Sequence, residues 1–250
     1  MRIDYSQHLA DAVYIIRENE PAEGYTLCFS GGKDSQVLYD IAKWCGVKFK
    51  ADYSVSTIDP PENVRFIRKN YPDVNFILPK LNFFQLIEKN GELPTMLHRW
   101  CCRILKENNG KGYILTGVRR EESATRSSYD YVTADRKKKN KTHVRPLLDW
   151  TEAEIWQYLE DRNIPINPCY EHTGRVGCIF CPFASQKALL YAAKRYPKYH
   201  RLFMRSIERI IKDKGYLQRF GNVTPEQAWE WWISKRNATE FFTQLNLFEK

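Results

Sequence analysis

Long apolar runs are absent from this 250-residue sequence. No stretch approaches the roughly 18 consecutive apolar residues that a membrane-spanning helix needs, and the polar, amphipathic residues 1–20 lack the pattern of a secretory signal peptide. The hydrophobic content of 43% is still enough to bury a core in a chain of this length. We therefore expect a folded, cytoplasmic protein that has no membrane partner.

Acidic residues are outnumbered by basic ones, 30 against 39, which leaves a formal net charge of +9. Such an excess suits a polyanionic partner, either nucleic acid or a phosphate-rich nucleotide. Part of the excess lies in the run RKKKNK at residues 136–141. We expect this run to form a solvated surface loop, with a nucleic-acid contact as the alternative.

The sequence has seven cysteines, an odd number, and lacks the pattern of a secretion signal. The cysteines therefore indicate a metal site rather than a disulfide framework. Four of them form two close pairs, Cys101-Cys102 and Cys178-x-x-Cys181. Four thiolates suit either an iron–sulfur cluster or tetrahedral zinc, and the spacing leaves both open. Cys169 is expected to be an inert loop thiol, with a persulfide carrier or a spare ligand as the alternative.

Short apolar runs alternate with helical patterns between residues 24 and 118. This alternation predicts an α/β fold with a mostly parallel sheet and helices on both faces. The predicted strands cover residues 25–29, 49–55, 74–78, 113–116 and 144–148. The predicted helices cover residues 36–44, 63–70, 83–89, 97–106, 152–162, 185–214 and 225–235. We therefore expect a nucleotide-binding α/β domain at residues 1–150 and a helical subdomain at residues 151–250 that contributes the CxxC half of the cysteine site.

The segment SGGKDS at residues 30–35 follows the first predicted strand and leads into a helix. Paired glycines let successive backbone N–H groups point at an anion, and the helix N-terminus adds partial positive charge. Lys33 offers a point charge, and Asp34 could hold Mg²⁺ or brace the loop. The predicted phosphate-binding residues are Ser30, Gly31, Gly32, Lys33, Asp34 and Ser35.

This loop resembles the SGGxDS signature of the pyrophosphate-loop (PP-loop) ATP pyrophosphatase superfamily. Three further segments extend the resemblance to its phosphoadenylyl sulfate (PAPS) reductase family: GVRREES with Arg126, RPLLDW, and IPINP, at residues 117–126, 145–150 and 164–168. The resemblance implies an adenine nucleotide alpha hydrolase-like, Rossmann-like fold. It also implies that the loop binds an adenylyl nucleotide, either ATP or an adenylyl sulfate.

The second family segment carries arginines whose guanidinium groups can fork onto phosphate or sulfate oxygens. The resemblance adds Thr57, Gly117, Arg119 and Arg126 to the nucleotide site. Ser56-Thr57-Ile58 stands where reductases carry Asp-Thr-Gly, so Thr57 alone is retained there. The expected catalytic residues are Lys33, Asp34, Arg119 and Arg120.

The CC…CxxC arrangement resembles the pattern by which many sulfonucleotide reductases and DNA phosphorothioation enzymes bind a [4Fe-4S] cluster. We therefore favour a [4Fe-4S] cluster over zinc, bound beside the loop. Its expected ligands are Cys101, Cys102, Cys178 and Cys181.

Two reactions are consistent with this resemblance. Sulfonucleotide reductases attack the substrate with a cysteine from a C-terminal tail, and no cysteine follows Cys181 in this sequence. We therefore favour an ATP pyrophosphatase that adenylates a nucleic-acid acceptor for sulfur insertion, as in DNA phosphorothioation or tRNA thiolation, with Mg²⁺ on the phosphates and a cysteine desulfurase as sulfur donor. The alternatives are an adenylyl sulfate (APS/PAPS) reductase that releases sulfite with a thioredoxin-like donor, and a non-catalytic nucleotide-binding subunit.

Overall fold

A computed structural model describes residues 2–107, 110–135, 140–212, 217 and 220–248. Its strands are β1 (Tyr25–Cys28), β2 (Phe49–Ser54), β3 (Asn75–Ile77), β4 (Gly112–Leu115), β5 (Val132–Ala134) and β6 (Lys141–Val144). Its α-helices are α1 (Ser6–Glu18), α2 (Lys33–Cys45), α3 (Pro61–Asn70), α4 (Phe83–Asn90), α5 (Trp100–Cys102), α6 (Ala124–Ser127), α7 (Glu152–Asp161), α8 (Cys169–Thr173), α9 (Gln186–Arg195), α10 (Pro197–Lys212), α11 (Pro225–Ser234) and α12 (Ala238–Phe248).

The six strands form one sheet in the order β3-β2-β1-β4-β6-β5. All neighbouring strands are parallel except β5 and β6, which pair antiparallel. The expected mostly parallel α/β fold, followed by helices, is thereby confirmed. Strands are added on one side of β1 up to β3 and on the other side from β4 onwards, so the strand order changes direction between β1 and β4. In open α/β folds, ligands bind in the crevice at the carboxyl ends of the strands at such a point. The predicted loop follows β1, and the GVRREES segment follows β4.

Two compact units divide the chain, and neither is continuous in sequence. The sheet unit comprises Met1–Ser54, Pro61–Ile77 and Asn109–Val176, and the helical unit comprises Val55–Pro60, Leu78–Asn108 and Gly177–Lys250.

This division differs from the expected boundary near residue 150. Helix α7 stays with the sheet unit because Tyr158 is buried and its hydroxyl donates to Asp40 Oδ2 on α2 at 2.8 Å. Helix α4 belongs to the helical unit because Phe83 is fully buried in that unit's core.

Phe203 on α10 lies at the centre of an aromatic core in the helical unit. Its ring lies 4.8 Å from that of Trp232, 5.1 Å from Phe180, 5.5 Å from Trp229 and 6.1 Å from Phe83, measured between centroids. Both tryptophans are buried, so they pack within the unit. The four helices α4, α9, α10 and α11 thus share one core.

Several predicted elements have different bounds in the structure. The strand predicted at 144–148 ends at Val144, because the chain turns there and Leu148 N–H donates back to Arg145 O at 3.2 Å. The helix predicted at 185–214 is two helices, since proline has no N–H to continue the hydrogen-bond ladder and Pro197 starts the second one. The helix predicted at 97–106 is one α-helical turn followed by a π-helical segment, Arg103–Glu107.

Part of the basic run at 136–141 falls outside the described residues, which omit 136–139. Lys141 is described; it starts β6 and is buried. None of the helices in the described part of the chain is both long enough and apolar enough to cross a membrane.

Replacing Phe203 by alanine should lower the free energy of unfolding by about 3–5 kcal/mol, because it removes a fully buried ring and leaves a cavity. The neighbouring Leu202 is 41% exposed, so Leu202→Ala should cost no more than about 1 kcal/mol. Urea unfolding of both variants, followed by tryptophan fluorescence, measures the difference. Equal losses would contradict the central position of Phe203.

Candidate nucleotide and cysteine sites

The loop between β1 and α2 requires glycine at its second position. Gly31 has a φ of +77°, a left-handed conformation that residues with a Cβ seldom adopt. A Cβ at this position would lie 2.4 Å from Asn63 Oδ1 and 2.9 Å from Ile67 Cγ1 on α3. Backbone conformation and close packing both therefore exclude a larger residue.

Two buried asparagines hold the carbonyl groups of this turn. Asn63 Nδ2 donates to Ser30 O at 3.1 Å, and Asn167 Nδ2 donates to Gly31 O at 2.8 Å and to Asn63 Oδ1 at 2.7 Å. Sequence reasoning missed both residues as parts of the site. Asn167 lies in the quoted IPINP segment, whereas nothing in the sequence around Asn63 indicates its role.

The loop hydroxyls hydrogen-bond within the loop itself. Ser35 Oγ donates to Gly32 O at 2.9 Å and accepts Ser30 N–H at 3.2 Å. Ser30 Oγ accepts Gly32 N–H at 3.2 Å. These bonds fix the turn just before α2, whose N-cap is Gly32.

Opposite charges meet at the amino end of α2. Asp34 pairs with Lys33 Nζ at 3.3 Å and with Arg119 Nε at 2.6 Å. Arg119 also pairs with Glu121, at 2.5 Å. Burial opposes the charged form of Arg119, but the acidic groups around it raise its pKa overall.

Gly117 allows this approach, because a Cβ there would lie 2.9 Å from Asp34 O. The structure thus brings the loop together with Gly117 and Arg119. Lys33 also contacts Glu152 at the start of α7, at 3.4 Å.

Three predicted residues make other contacts. Arg120 Nε donates to Asp149 at 2.5 Å and its Nη1 to Ser127 O at 2.7 Å. Arg126 on α6 pairs with Glu122, four residues before it in sequence. Thr57 belongs to the helical unit, where its Oγ1 accepts Phe83 N–H at 2.8 Å at the start of α4.

All four predicted ligand cysteines belong to the helical unit. The Cys101 thiol donates a hydrogen bond to Cys102, and this bond lowers the pKa of Cys102 to about 6. Cys101 also lies within electrostatic reach of Cys178. Cys101 therefore interacts with one cysteine of each pair, Cys102 in its own and Cys178 in the other.

Polar groups surround the second cysteine pair. The Cys178 thiol donates to Ser56 Oγ at 3.3 Å. Burial raises the pKa of Cys178, and the nearby Lys106, which hydrogen-bonds its sulfur, acts in the opposite direction. Cys181 lies within electrostatic reach of Lys235.

The chemistry of these residues fits a thiolate-bound centre. Within the described ranges, however, no group of three or more His, Cys, Asp or Glu side chains is close enough together to hold a metal ion. Trp100 Nε1, beside Cys101, and Lys235 Nζ are buried donors, and no described residue accepts a hydrogen bond from either. Buried donors of this kind are costly unless an acceptor faces them. Sulfur atoms that carry negative charge would be such acceptors.

The other cysteines have different surroundings. Cys169, in the sheet unit, is only 3% exposed, and its N–H donates to Asn167 Oδ1 at 3.0 Å. Cys45 is buried at the end of α2. Cys28 is exposed at the end of β1.

Residues 24–184 match the family model described as the phosphoadenosine phosphosulfate reductase domain. The chain belongs to this reductase family. The matched region contains both the phosphate loop and all four cysteines of the two pairs. The resemblance inferred from the sequence is thereby confirmed.

Two relatives show how far this family similarity extends. An adenosine 5'-phosphosulfate reductase of Shouchella clausii is 30% identical over 187 residues, which cover 68% of this chain and 77% of that enzyme. An uncharacterised protein of Methanocaldococcus jannaschii is 30% identical over 204 residues, which cover 75% of this chain but only 47% of that protein. The chain therefore spans about half the length of the second relative.

Two solved structures share the fold of this family member. A PAPS reductase from Candida auris, in a phosphate complex, matches with a TM-score of 0.51 and 14% identity over 71% of this chain and 97% of the reductase. A Candida glabrata FMN adenylyltransferase, in complex with FAD and inorganic pyrophosphate, matches with a TM-score of 0.51 and 16% identity over 71% and 66% of the two chains. At such identities the likeness shows the fold alone.

Replacing Gly31 by alanine should weaken the binding of ATP and adenylyl sulfate by at least about tenfold, equivalent to about 1.4 kcal/mol. The added methyl group would meet Asn63 and disrupt the turn. Isothermal titration calorimetry measures the affinity.

Gly46 provides the matched control, because it has a similar φ of +72° but nothing within 4 Å of its Cβ position. Gly46→Ala should therefore lose stability, by about 1 kcal/mol, without losing nucleotide affinity. Unchanged affinity in Gly31→Ala would contradict the loop as the phosphate site.

Proposed function

We propose that this chain is a PP-loop ATP pyrophosphatase of sulfur metabolism that adenylates an acceptor for sulfur insertion. The observation that carries the proposal is the group at the amino end of α2, where Lys33 and Arg119 meet Asp34. Two cations and one carboxylate beside amide-rich backbone are the elements needed to hold a triphosphate with its metal ion. The family similarity supports the same nucleotide class.

In the proposed reaction an acceptor oxygen attacks the α phosphorus of ATP, and pyrophosphate leaves. Lys33 and Arg119 would stabilise the charge on the departing pyrophosphate, exchanging their present carboxylate partners for phosphate oxygens. Asp34 would supply a carboxylate oxygen to Mg²⁺. A sulfur nucleophile, derived from a cysteine desulfurase, would then displace AMP from the adenylated acceptor. The net charge of +9 favours a nucleic acid as that acceptor.

The sequence predicts a catalytic role for Arg120, but its contacts in the structure are to the protein itself. Its guanidinium group bonds Asp149 and two carbonyl groups of the following segment, at Ser127 and Tyr129. These contacts shape the segment after β4. We therefore assign Arg120 a positioning role and keep Lys33, Asp34 and Arg119 as the residues that contact the reacting nucleotide.

We also propose that Cys101, Cys102, Cys178 and Cys181 bind a [4Fe-4S] cluster. Support comes from the four thiols within one unit and from the cationic Lys106 beside Cys178. A buried donor, Lys235 Nζ, lies within reach of Cys181. A bound cluster would supply a compact, negatively charged iron–sulfur centre joining the two cysteine pairs. Lys106 and Lys235 would offset that charge in the buried surroundings.

A second candidate is adenylyl sulfate reduction, favoured by the name of the Shouchella clausii relative. That reaction needs a thiol that can reach the sulfur of the bound sulfate ester. Three cysteines lie outside the proposed ligand set. Cys169 is only 3% exposed and Cys45 is buried. Cys28 is exposed as a residue, but burial of its thiol raises its pKa to about 11, so little thiolate forms at neutral pH. The lack of a ready nucleophile among these three supports adenylation over reduction.

One experiment separates the candidate functions. Anaerobically purified protein is incubated with Mg²⁺ and ATP, with and without DNA or tRNA, and separately with adenylyl sulfates, thioredoxin and its reductant. With acceptor present we expect pyrophosphate and an equal amount of acceptor-bound AMP, and added sulfide should release that AMP. Sulfite from an adenylyl sulfate would instead establish the reductase, and tight binding without turnover of either substrate would indicate a nucleotide-binding subunit.

Arg119→Gln should lower the rate of pyrophosphate release by about two to three orders of magnitude, because it removes a preorganised cation at the leaving group. Arg162→Gln is the control, since it breaks another arginine–aspartate pair on α2, with Asp40 at 2.9 Å, at a more exposed position outside the loop. Its rate should stay near that of the parent protein. Equal losses in both variants would contradict the role of Arg119.

The anaerobic protein should contain about four irons per chain and be brown. Cys102→Ser and Cys181→Ser should each lose most of this iron, whereas Cys28→Ser, which alters a cysteine outside the set, should retain it. Metal analysis and the visible absorption spectrum measure both. One zinc per chain without iron would replace the cluster by a zinc site.

A further inference from the structure

Tyr170 places its hydroxyl on the phosphate loop. Its Oη accepts the N–H of Lys33 at 2.8 Å. The same atom lies 3.4 Å from the position that a Cβ would take at Gly32. Lys33 is the first residue of α2, so its amide is one of the helix N-terminal donors available to an anion.

The position of Tyr170 is fixed by its neighbours. Its N–H donates to Asn167 O at 3.1 Å, and Asn167 in turn donates to Gly31 O of the loop. Its ring meets that of Trp156 edge to face, 5.0 Å between centroids. Burial raises the pKa of Tyr170 to about 12, so the phenol is neutral at pH 7. A neutral hydroxyl therefore faces a backbone donor that suits an anion.

The side chain of Lys33 is also paired within the protein. Its Nζ lies 3.3 Å from Asp34 Oδ2 and 3.4 Å from Glu152 Oε1. The backbone amide and the ammonium group of this residue thus both have internal acceptors. The ammonium group has three N–H donors, so a phosphate can bind Nζ beside these carboxylates, but it can bind the backbone amide only by replacing the Tyr170 hydroxyl.

A phosphate oxygen is the stronger acceptor for the amide. Hydrogen bonds to charged acceptors are roughly twice as strong as those between neutral groups. One backbone N–H carries one hydrogen, so a linear bond to phosphate replaces the bond to the phenol. Nucleotide binding and the Tyr170 contact therefore compete for the same donor.

We propose that the Tyr170 hydroxyl stands in for a phosphate oxygen in the nucleotide-free protein, and that the nucleotide displaces it from Lys33. The inference rests on the proposed function in one respect, namely that the loop binds nucleotide phosphates. It adds that Tyr170 sets the affinity of the site by stabilising the free state. Tyr170 is thus a positioning residue of the phosphate loop.

The test is the affinity of Tyr170→Phe for inorganic pyrophosphate and for MgATP, measured by isothermal titration calorimetry. Removing the hydroxyl leaves the Lys33 amide without its acceptor in the free protein, and bound phosphate restores one. The variant should bind both ligands several-fold to about tenfold more tightly than the parent protein. Its melting temperature without ligand should fall, and the rise on adding pyrophosphate should be larger.

Tyr71→Phe is the matched control. Tyr71 is also buried, and its hydroxyl accepts a side-chain donor, Gln36 Nε2 of α2, at 2.8 Å, rather than a loop amide. This variant should lose stability in the same way without a gain in pyrophosphate affinity. A similar gain in both variants would overturn the specific role of Tyr170.

Hydrogen exchange of the parent protein gives a second measurement that needs no substitution. Saturating pyrophosphate should protect the amides of residues 31–36 and increase exchange in residues 169–174, because the phenol leaves its contact. Greater protection in both segments would overturn the proposal.

The outcomes also separate this inference from the proposed function. Binding by the parent protein combined with unchanged or weaker binding by Tyr170→Phe overturns the stand-in role alone, and weaker binding would make the phenol a direct phosphate contact. A parent protein that binds neither pyrophosphate nor MgATP overturns both.

Discussion

The left-handed turn at Gly31 is the constraint on which the site depends. The chain must pass from a buried strand into α2 within a few residues, and this turn leaves the Ser30 and Gly31 carbonyls without partners in the sheet. Asn63 and Asn167 supply those partners, from α3 and from the segment before α8. The turn therefore holds together parts of the sheet unit that are more than 100 residues apart in sequence.

An ion pair between Arg119 and Asp34 lies on the other side of the turn. Arg119 is 3% exposed and pairs with Asp34, and Gly117 makes room for this approach. A buried ion pair adds little net stability, because desolvation offsets much of its attraction. Its effect here is geometric, since it places a guanidinium group at the amino end of α2 before any nucleotide arrives. The free energy needed to orient this guanidinium group is thus spent during folding rather than during binding.

The sequence predicts what is encoded locally. Strand patterning, the glycine pair and the capping box of α7 are read from a few adjacent residues, so the parallel sheet and the loop were predictable. Asn63, Tyr170 and Glu152 were not, because their roles arise only when distant segments meet. The discontinuous units were missed for the same reason: residues 78–107 follow β3 in sequence but pack with helices from the second half of the chain. The break at Pro197, in contrast, could have been predicted from proline chemistry.

The two candidate reactions differ in the attacking group rather than in the loop. Adenylation needs an acceptor oxygen at the α phosphorus, and sulfonucleotide reduction needs a thiol at the ester sulfur, while the same amides and cations can hold phosphate or sulfate in either case. Family membership therefore accounts for the loop without choosing the reaction. The thiols bear on that choice. If the two pairs bind a cluster, the buried Cys45 and Cys169 are poorly placed for attack. Cys28 is exposed as a residue and ends the strand that leads into the loop, but burial of its thiol raises its pKa to about 11. None of the three is therefore a ready nucleophile for reduction.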